Sequence, residues 1–308
     1  MNKKIFAAVV AAVFIFTTTA SAHIRHIKGV RQTQQEVNIK TIKVAGSVYM
    51  LEGQGGNIGV SSGEDGLVMI DTQFAPLAPK IKAALKALGS EKPKFVLNTH
   101  WHGDHTGGNA EFGADSFIIA HVNVRKRMSV AATLMDRTIP AAPKLALPVL
   151  TFEQSVTLYM NGEEVRLVHF PKGHTDGDTV VFFTKSNVVH LGDDFFAGRF
   201  PFVDLSSGGS VQGLTANLTN LIAQIPADAK LIPGHGAVST LDDLKNYRQT
   251  IVETTDIVRQ GINGGKTLEQ LKKEGLPAKY ASWGTGFIKT DRWIETIYNS
   301  YSINMEKK

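Results

Sequence analysis

Short β-rich runs alternate with amphipathic helical stretches along most of this chain. "IKVAGSVYML" (42–51), "NIGVSS" (57–62) and "GLVMID" (66–71) are rich in strand-forming residues and separated by Gly-rich turns, so they read as strands. "APKIKAALKALG" (78–89) spaces its apolar residues along one helical face and closes on Gly89. "KFVLNT" (94–99) is a buried-strand run that delivers the chain directly into His100. "SFIIAH" (116–121) then reads as a strand and "VNVRKRMSVAATLM" (122–135) as a helix, before a loop marked by Pro140, Pro143 and Pro148.

The second half repeats the alternation. "SVTLYM-NG-EEVRLVHF" (155–170) predicts a hairpin, because Asn161-Gly162 suits a two-residue turn with positive φ. "DTVVFF" (178–183) and "NVVHLGD" (187–193) form another strand pair. "SVQGLTANLTNLIAQI" (210–225) is an amphipathic helix, and "KLIPGHG" (230–236) is a short strand ending in a turn. From Ser239 the pattern is helical, with Thr240 as a cap ahead of Asp242 and Asp243, acids suited to a first turn. Two batches of strands with helices between them predict an α/β fold of two sheets with helices outside, a four-layer αββα sandwich. Residues 42–238 form its core, and the C-terminal helices of 239–308 complete the same domain. That tail carries Trp283 and Trp293 and is read either as a cap on the cleft or as an oligomer contact.

The first 41 residues fall outside this pattern. Lys3 and Lys4, an apolar run from Ile5 to Phe16 and Ala20-Ser21-Ala22 match an export signal over 1–22. Twelve apolar residues are too few to span a bilayer, which takes roughly 20. The processed chain is expected to begin at His23, with a polar, flexible lead-in over 23–41, and to be periplasmic or extracellular. No cysteine is present, so disulfides, thiolate ligands and a thiol nucleophile are all excluded. Without Lys3 and Lys4 there are 31 basic and 28 acidic side chains, and the charges are interspersed, which argues against a nucleic-acid partner. No other stretch reaches membrane-spanning length, so the expected partner is a small-molecule substrate, with no membrane after signal cleavage.

The chemistry concentrates in "NTHWHGDH" (98–105), which puts His100, His102, Asp104 and His105 within six positions. A single loop histidine is usually solvated or hydrogen-bonded; the set is too dense for that reading. Neutral imidazole and carboxylate bind a dication such as Zn²⁺ at about 2.0–2.2 Å, and one catalytic zinc typically takes three protein ligands plus water. Four donors in one loop therefore imply a second ion. Three later stretches, each just after a strand, offer further donors: "PKGHTDGD" with His174, "HLGDDFF" with Asp193 and "IPGHG" with His235. The other histidines, His23, His26, His121, His169 and His190, form no second cluster; His121 and His190 are the best candidates to support the ligands from behind.

His100-x-His102-x-Asp104-His105, Gly173-His174, Gly192-Asp193 and Gly234-His235 follow one another in an order that resembles the metallo-β-lactamase-fold hydrolases, from about Val44 to Val238. The resemblance implies a dinuclear site on one edge of the sandwich. His100, His102 and His174 would hold the first ion, and Asp104, His105 and His235 the second. Asp193 would bridge both, with Asp194 as its rival. The cofactors implied are two Zn²⁺, with iron or manganese as alternative occupants. Asp104 would also orient the nucleophile, as the catalytic residue.

The reading that follows is a dinuclear-metal hydrolase that cleaves an ester, lactone, thioester or amide. The commonest zinc β-lactamases carry cysteine where Asp193 stands; Asp193 instead resembles the glyoxalase II, lactonase and general-hydrolase branches. Two alternatives accompany this reading: β-lactam hydrolysis, and a non-catalytic exported metal-binding protein. Phe195, Phe196, Phe200 and Phe202 form either a pocket wall or core, and Trp101 faces the cleft or covers the metals. Arg199 and Lys172 are candidates to attract a carboxylate, though each is by default a solvated surface charge.

Overall fold

A computed structural model describes residues 37–302; the expected export signal and most of the lead-in lie outside the described residues. The chain opens with an antiparallel meander of β1 (Lys40–Ala45), β2 (Val48–Glu52), β3 (Ile58–Gly63) and β4 (Gly66–Ile70). Helix α1 (Ala78–Ala87) leads to β5 (Phe95–Leu97), which lies parallel to β4. The one-turn helices α2 (Gly103–Thr106) and α3 (Asn109–Phe112) precede β6 (Phe117–His121), and α4 (Val122–Met128) follows it. A small hairpin, β7 (Ala132–Leu134) and β8 (Arg137–Ile139), precedes β9 (Leu150–Phe152), the last strand of a seven-stranded sheet ordered β1-β2-β3-β4-β5-β6-β9.

The second sheet contains β10 (Ser155–Met160), β11 (Glu163–His169), β12 (Thr179–Phe183), β13 (Val188–His190) and β14 (Lys230–Ile232), in that order. Asn161 and Gly162 turn β10 into β11 with φ of 58° and 66°, as that dipeptide predicts. Helix α5 (Val211–Gln224) crosses over between β13 and β14, which are therefore parallel. The tail supplies α6 (Leu241–Asn263), α7 (Leu268–Glu274) and α8 (Thr290–Ser302). Thr240 caps α6 reciprocally with Asp243.

Alternation along the strands builds the layers. Val68 and Ile70 face the core between the sheets, with Val165, Leu167, Val181 and Ile232 opposite, while Leu67 and Met69 face outward onto Ile81 and Leu85 of α1. Val180, Val189 and Leu231 face outward on the second sheet, under Leu218, Ile251 and Ile297. Each such side chain contributes roughly 1.5–3 kcal/mol when fully buried. The result is the expected αββα sandwich, with the tail helices forming much of its fourth layer.

The local readings need three corrections. The helix predicted over 122–135 stops at Met128, and Ala132–Leu134 becomes a strand, paired with Arg137–Ile139 and packed through Ala132 and Leu134 against the small core that contains Trp101, Val124 and Met128. The first strand begins at Lys40, and Val37 and Ile39 already pack against the outer core, so residues 37–41 belong to the folded sheet and not to a flexible lead-in. Trp293 neither caps a cleft nor lies on a surface: it is fully buried, and its indole N–H donates to Thr254 Oγ1 at 2.9 Å.

Candidate metal centre

The ligand candidates emerge at one edge of the sandwich. β5 lies between parallel neighbours and runs straight into Asn98, whose amide pairs reciprocally with Asn109 across the "HWHGDH" loop. His102 stays extended and accepts the first hydrogen bonds of α2, from the N–H groups of His105 and Thr106. β13 and β14 run in parallel register, His190 opposite Ile232, so Asp193 and His235 leave their strands three residues later side by side. The Gly234 N–H donates to Gly192 O at 2.7 Å.

All seven residues converge, as two groups. His100, His102, His174 and Asp193 form one and Asp104, His105 and His235 the other, with potential ligand atoms in each group within 4.8 Å of one another. Asp193 links them with one oxygen each. Its Oδ2 lies 3.5 Å from His174 Nε2 and 3.8 Å from His100 Nε2; its Oδ1 lies 3.1 Å from His105 Nε2 and 3.4 Å from His235 Nε2. His102 Nδ1 stands 2.8 Å from His174 Nε2, and Asp104 Oδ2 stands 3.2 Å from His235 Nε2. The first group is buried, whereas Asp104 and His235 are 29% and 21% exposed, so the second group opens to solvent.

Glycines allow this crowding. A Cβ on Gly56 would fall on the His105 ring, and one on Gly234 would fall on Asp193 Oδ1. Asp194 does not reach the centre. It packs with Asp178 and Asn217 against Gly173, and burial raises its carboxyl to about 7.

Residues from distant segments hold the imidazoles from behind. His102 Nε2 is 3.0 Å from Asp204 Oδ2, His105 Nδ1 is 2.7 Å from Asp71 Oδ2, and His174 Nδ1 is 2.7 Å from the Phe202 carbonyl. Asn57 grips the His235 turn through Pro233 O and Gly236 O, and its own carbonyl lies 3.0 Å from His190 Nε2. His190 thus supports the site through Asn57. His121 instead stacks on His169 at 3.7 Å. Sequence reading did not find Asp71, Asp204 or Asn57; the only signal for Asp71 is its place at the end of "GLVMID".

The phenylalanines divide. Phe195, Phe196 and Phe200 are all core, but Phe196 also stacks on His235 at 5.1 Å, and the half-buried Phe202 lies 5.6 Å from the His102 ring. Trp101 is buried beside His102, with ring centroids 5.0 Å apart. Arg199 is partly exposed against Gly286, and Lys172 is exposed.

Charge separates the two groups. Burial pulls His105 down, but Asp193, Asp104 and Asp71 outweigh it and hold the ring well above its ordinary range. Burial likewise opposes, and Asp193 and Asp104 raise, His235 to about 9. In the first group burial dominates, lowering His174 to about 4 and His100 well below its usual value. Burial would raise Asp193, but four surrounding histidines, His105 foremost, keep it ionised.

The donor set fits metal ions. His100 Nε2 is buried without a hydrogen bond, which is costly unless a cation completes it. Five imidazoles and two carboxylates suit borderline dications.

Known proteins resemble this chain in sequence and in fold. A 2,4-dinitroanisole O-demethylase subunit alpha from Nocardioides sp. is 27% identical over 139 residues, 44% of this chain and 40% of that protein. The Metallo-beta-lactamase type 2 of Bacteroides fragilis is 23% identical over 167 residues, 54% of this chain and 61% of that protein. A hydroxyacylglutathione hydrolase from Nitrosococcus oceani is 26% identical over 178 residues, 54% and 60% of the two chains. The chain thus spans 40–61% of the length of these relatives. Among solved structures, the sec-alkylsulfatase Pisa1 from Pseudomonas sp. aligns with a TM-score of 0.63 at 16% identity, covering 85% of this chain and 50% of that one. DIM-1 metallo-beta-lactamase aligns with a TM-score of 0.57 at 18% identity, covering 71% and 99%. The model of the Metallo-beta-lactamase superfamily matches residues 43–249, two thirds of the sequence, and the chain belongs to that superfamily.

Proposed function

We propose that this chain is a dinuclear-metal hydrolase, most simply a zinc enzyme, acting on an ester, lactone, thioester or amide. The observation that carries this reading is Asp193, with one oxygen turned to each group of ligands. Two dications in these cages would supply Lewis acidity and activation of water near neutral pH.

The protein residues around them have separable tasks. His100, His102 and His174 form a closed, buried cage. Asp104 and His235, the exposed pair, line the open side, where Asp104 can accept a proton from an incoming water and orient it. Phe196 and Phe202 cover the imidazoles and limit the approach of bulk water. The hydroxyacylglutathione hydrolase relative and an atrochrysone carboxyl ACP thioesterase relative support a thioester or ester substrate. The relative from Bacteroides fragilis favours β-lactam hydrolysis as a second reading. We also infer export, from Lys3, Lys4, the apolar run and Ala20-Ser21-Ala22.

The test is turnover by purified chain, metal-free and zinc-loaded, against ester, lactone, thioester, amide and β-lactam panels. Zinc-dependent turnover of an acyl compound is expected. Tight metal binding with no turnover across the panels would instead favour a metal carrier, and cephalosporin turnover with kcat/KM of about 10⁴ M⁻¹s⁻¹ or more would favour the second reading.

A further inference from the structure

Nine large apolar side chains stand exposed among the described residues, and six of them belong to one region. Val130, Met135, Leu145, Val149 and Leu150 fall between residues 130 and 150, and Phe117 opens the neighbouring strand β6. Main-chain bonds draw these segments together: Val149 N–H donates to Ile118 O, Leu150 pairs with Ile119, and Ala142 N–H donates to Met128 O. The β7–β8 hairpin packs Ala132, Leu134 and Ile139 against the small core around Trp101, leaving Met135 at its tip 43% exposed.

The charge of this region is as uneven as its polarity. Residues 122–150 contain five basic side chains and a single acid, Asp136, and Asp115, close to Phe117 in the chain, is paired with Lys92 at 2.9 Å. Arg127 is committed to Asp176 in a bidentate pair at 2.7 and 2.8 Å and Arg125 donates to the Pro148 carbonyl, but Lys126, Arg137 and Lys144 are exposed. Apolar protrusions interleaved with cations are poorly explained by solvation alone. Nucleic acid would use the cations and not the aliphatic side chains, and an apolar protein face would use the reverse. An anionic lipid surface uses both, the cations at the headgroups and the apolar tips in the acyl boundary.

We propose that this face, built from α4, the β7–β8 hairpin and the loop into β9, docks on an anionic phospholipid surface. It departs from the expectation that the processed chain meets no membrane, and it does not depend on the reaction. No helix of the described residues is long and apolar enough to cross a bilayer, so the contact is interfacial.

Because the chain has no cysteine, a single probe can be placed at will. Met135→Cys carrying an environment-sensitive dye is compared with the same dye at Tyr159→Cys, 77% exposed on β10. With vesicles of phosphatidylglycerol and phosphatidylcholine, the dye at 135 should shift to the blue and the dye at 159 should not. Adding Arg137→Glu and Lys144→Glu should weaken that response about tenfold or more, since each cation near such a surface contributes appreciably; high salt should act in the same direction. A probe at 135 that stays solvated would overturn the proposal. So would equal responses at 135 and 159, or an equal response to pure phosphatidylcholine, since the apolar run of Ile5 to Phe16 would produce either.

Discussion

Asp71 and His105 meet at 2.7 Å, and through that contact one carboxylate reaches both ligand groups. Thr99 Oγ1 donates to the same Asp71 oxygen at 2.7 Å and, having spent its only proton, can only accept from His100 Nδ1, 3.0 Å away. His100 thereby presents its Nε2 lone pair to the centre, and His105 does the same once it gives up its Nε2 proton. An amide at position 71 would offer one oxygen where two are used. Asp71→Asn is therefore expected to keep the fold and lose roughly 10–100-fold in zinc affinity, read by competition with a chelating dye. Unchanged affinity would remove Asp71 from the site.

The neighbouring carboxylates should separate cleanly. Asp193→Asn leaves one neutral oxygen where a charged pair faces the two groups and should leave fewer than two tightly held ions, with turnover severely reduced. Asp194→Asn should retain both ions. Burial raises Asp194 to about 7, above its unfolded value, so the folded state favours the protonated acid and loses stability as pH climbs from about 4 through 7. In metal-free protein the amide should be more stable than Asp at pH 8, by at least about 1 kcal/mol, with the difference vanishing near pH 4. Urea unfolding at the two pH values measures it.

Gly234→Ala places a methyl group on Asp193 Oδ1 and against the Gly192 backbone. Neither can retreat without displacing a ligand. The expected outcome is a cost of roughly 1–3 kcal/mol and loss of metal, seen together in thermal unfolding and elemental analysis. A variant with full metal content would show that the turn relaxes more easily than its packing implies.

The two ligand groups should load differently with pH. Near neutrality the metal-free second group holds protons, on His235 with its value of about 9 and on His105, whereas in the first group burial keeps His100 and His174 neutral, His174 with its value of about 4. Metal must displace the protons of His105 and His235 to fill the second group. Dialysis against limiting zinc should give about one ion per chain at pH 6 and approach two by pH 9. In the metal-free protein, the raised value of His235 contributes stability that is complete below pH 6.5 and lost as pH rises through about 9. The lowered value of His174 removes stability as pH falls from 6.5 towards 4. Equal loading at pH 6 and 9 would contradict this order.

The sequence by itself determined whatever is written within a few residues. Strand alternation put Val68 and Ile70 on one face and Leu67 and Met69 on the other, Asn161-Gly162 specified its hairpin, and Thr240 with Asp243 capped a 23-residue helix. Donor types and adjoining glycines marked the seven ligand candidates. Tertiary structure alone decided the partners behind them: Asp204 is 102 positions from His102, and Asp71 is 34 from His105, with no local pattern joining either pair. It also decided that residues 132–134 form a strand, where pairing with Arg137–Ile139 and packing on the core around Trp101 replace the helical period, and that Trp293 is core. Hydrogen bonding and side-chain period act over a turn or two and leave a signature in the chain. Burial and charge pairing act wherever the fold brings groups together, and they leave none.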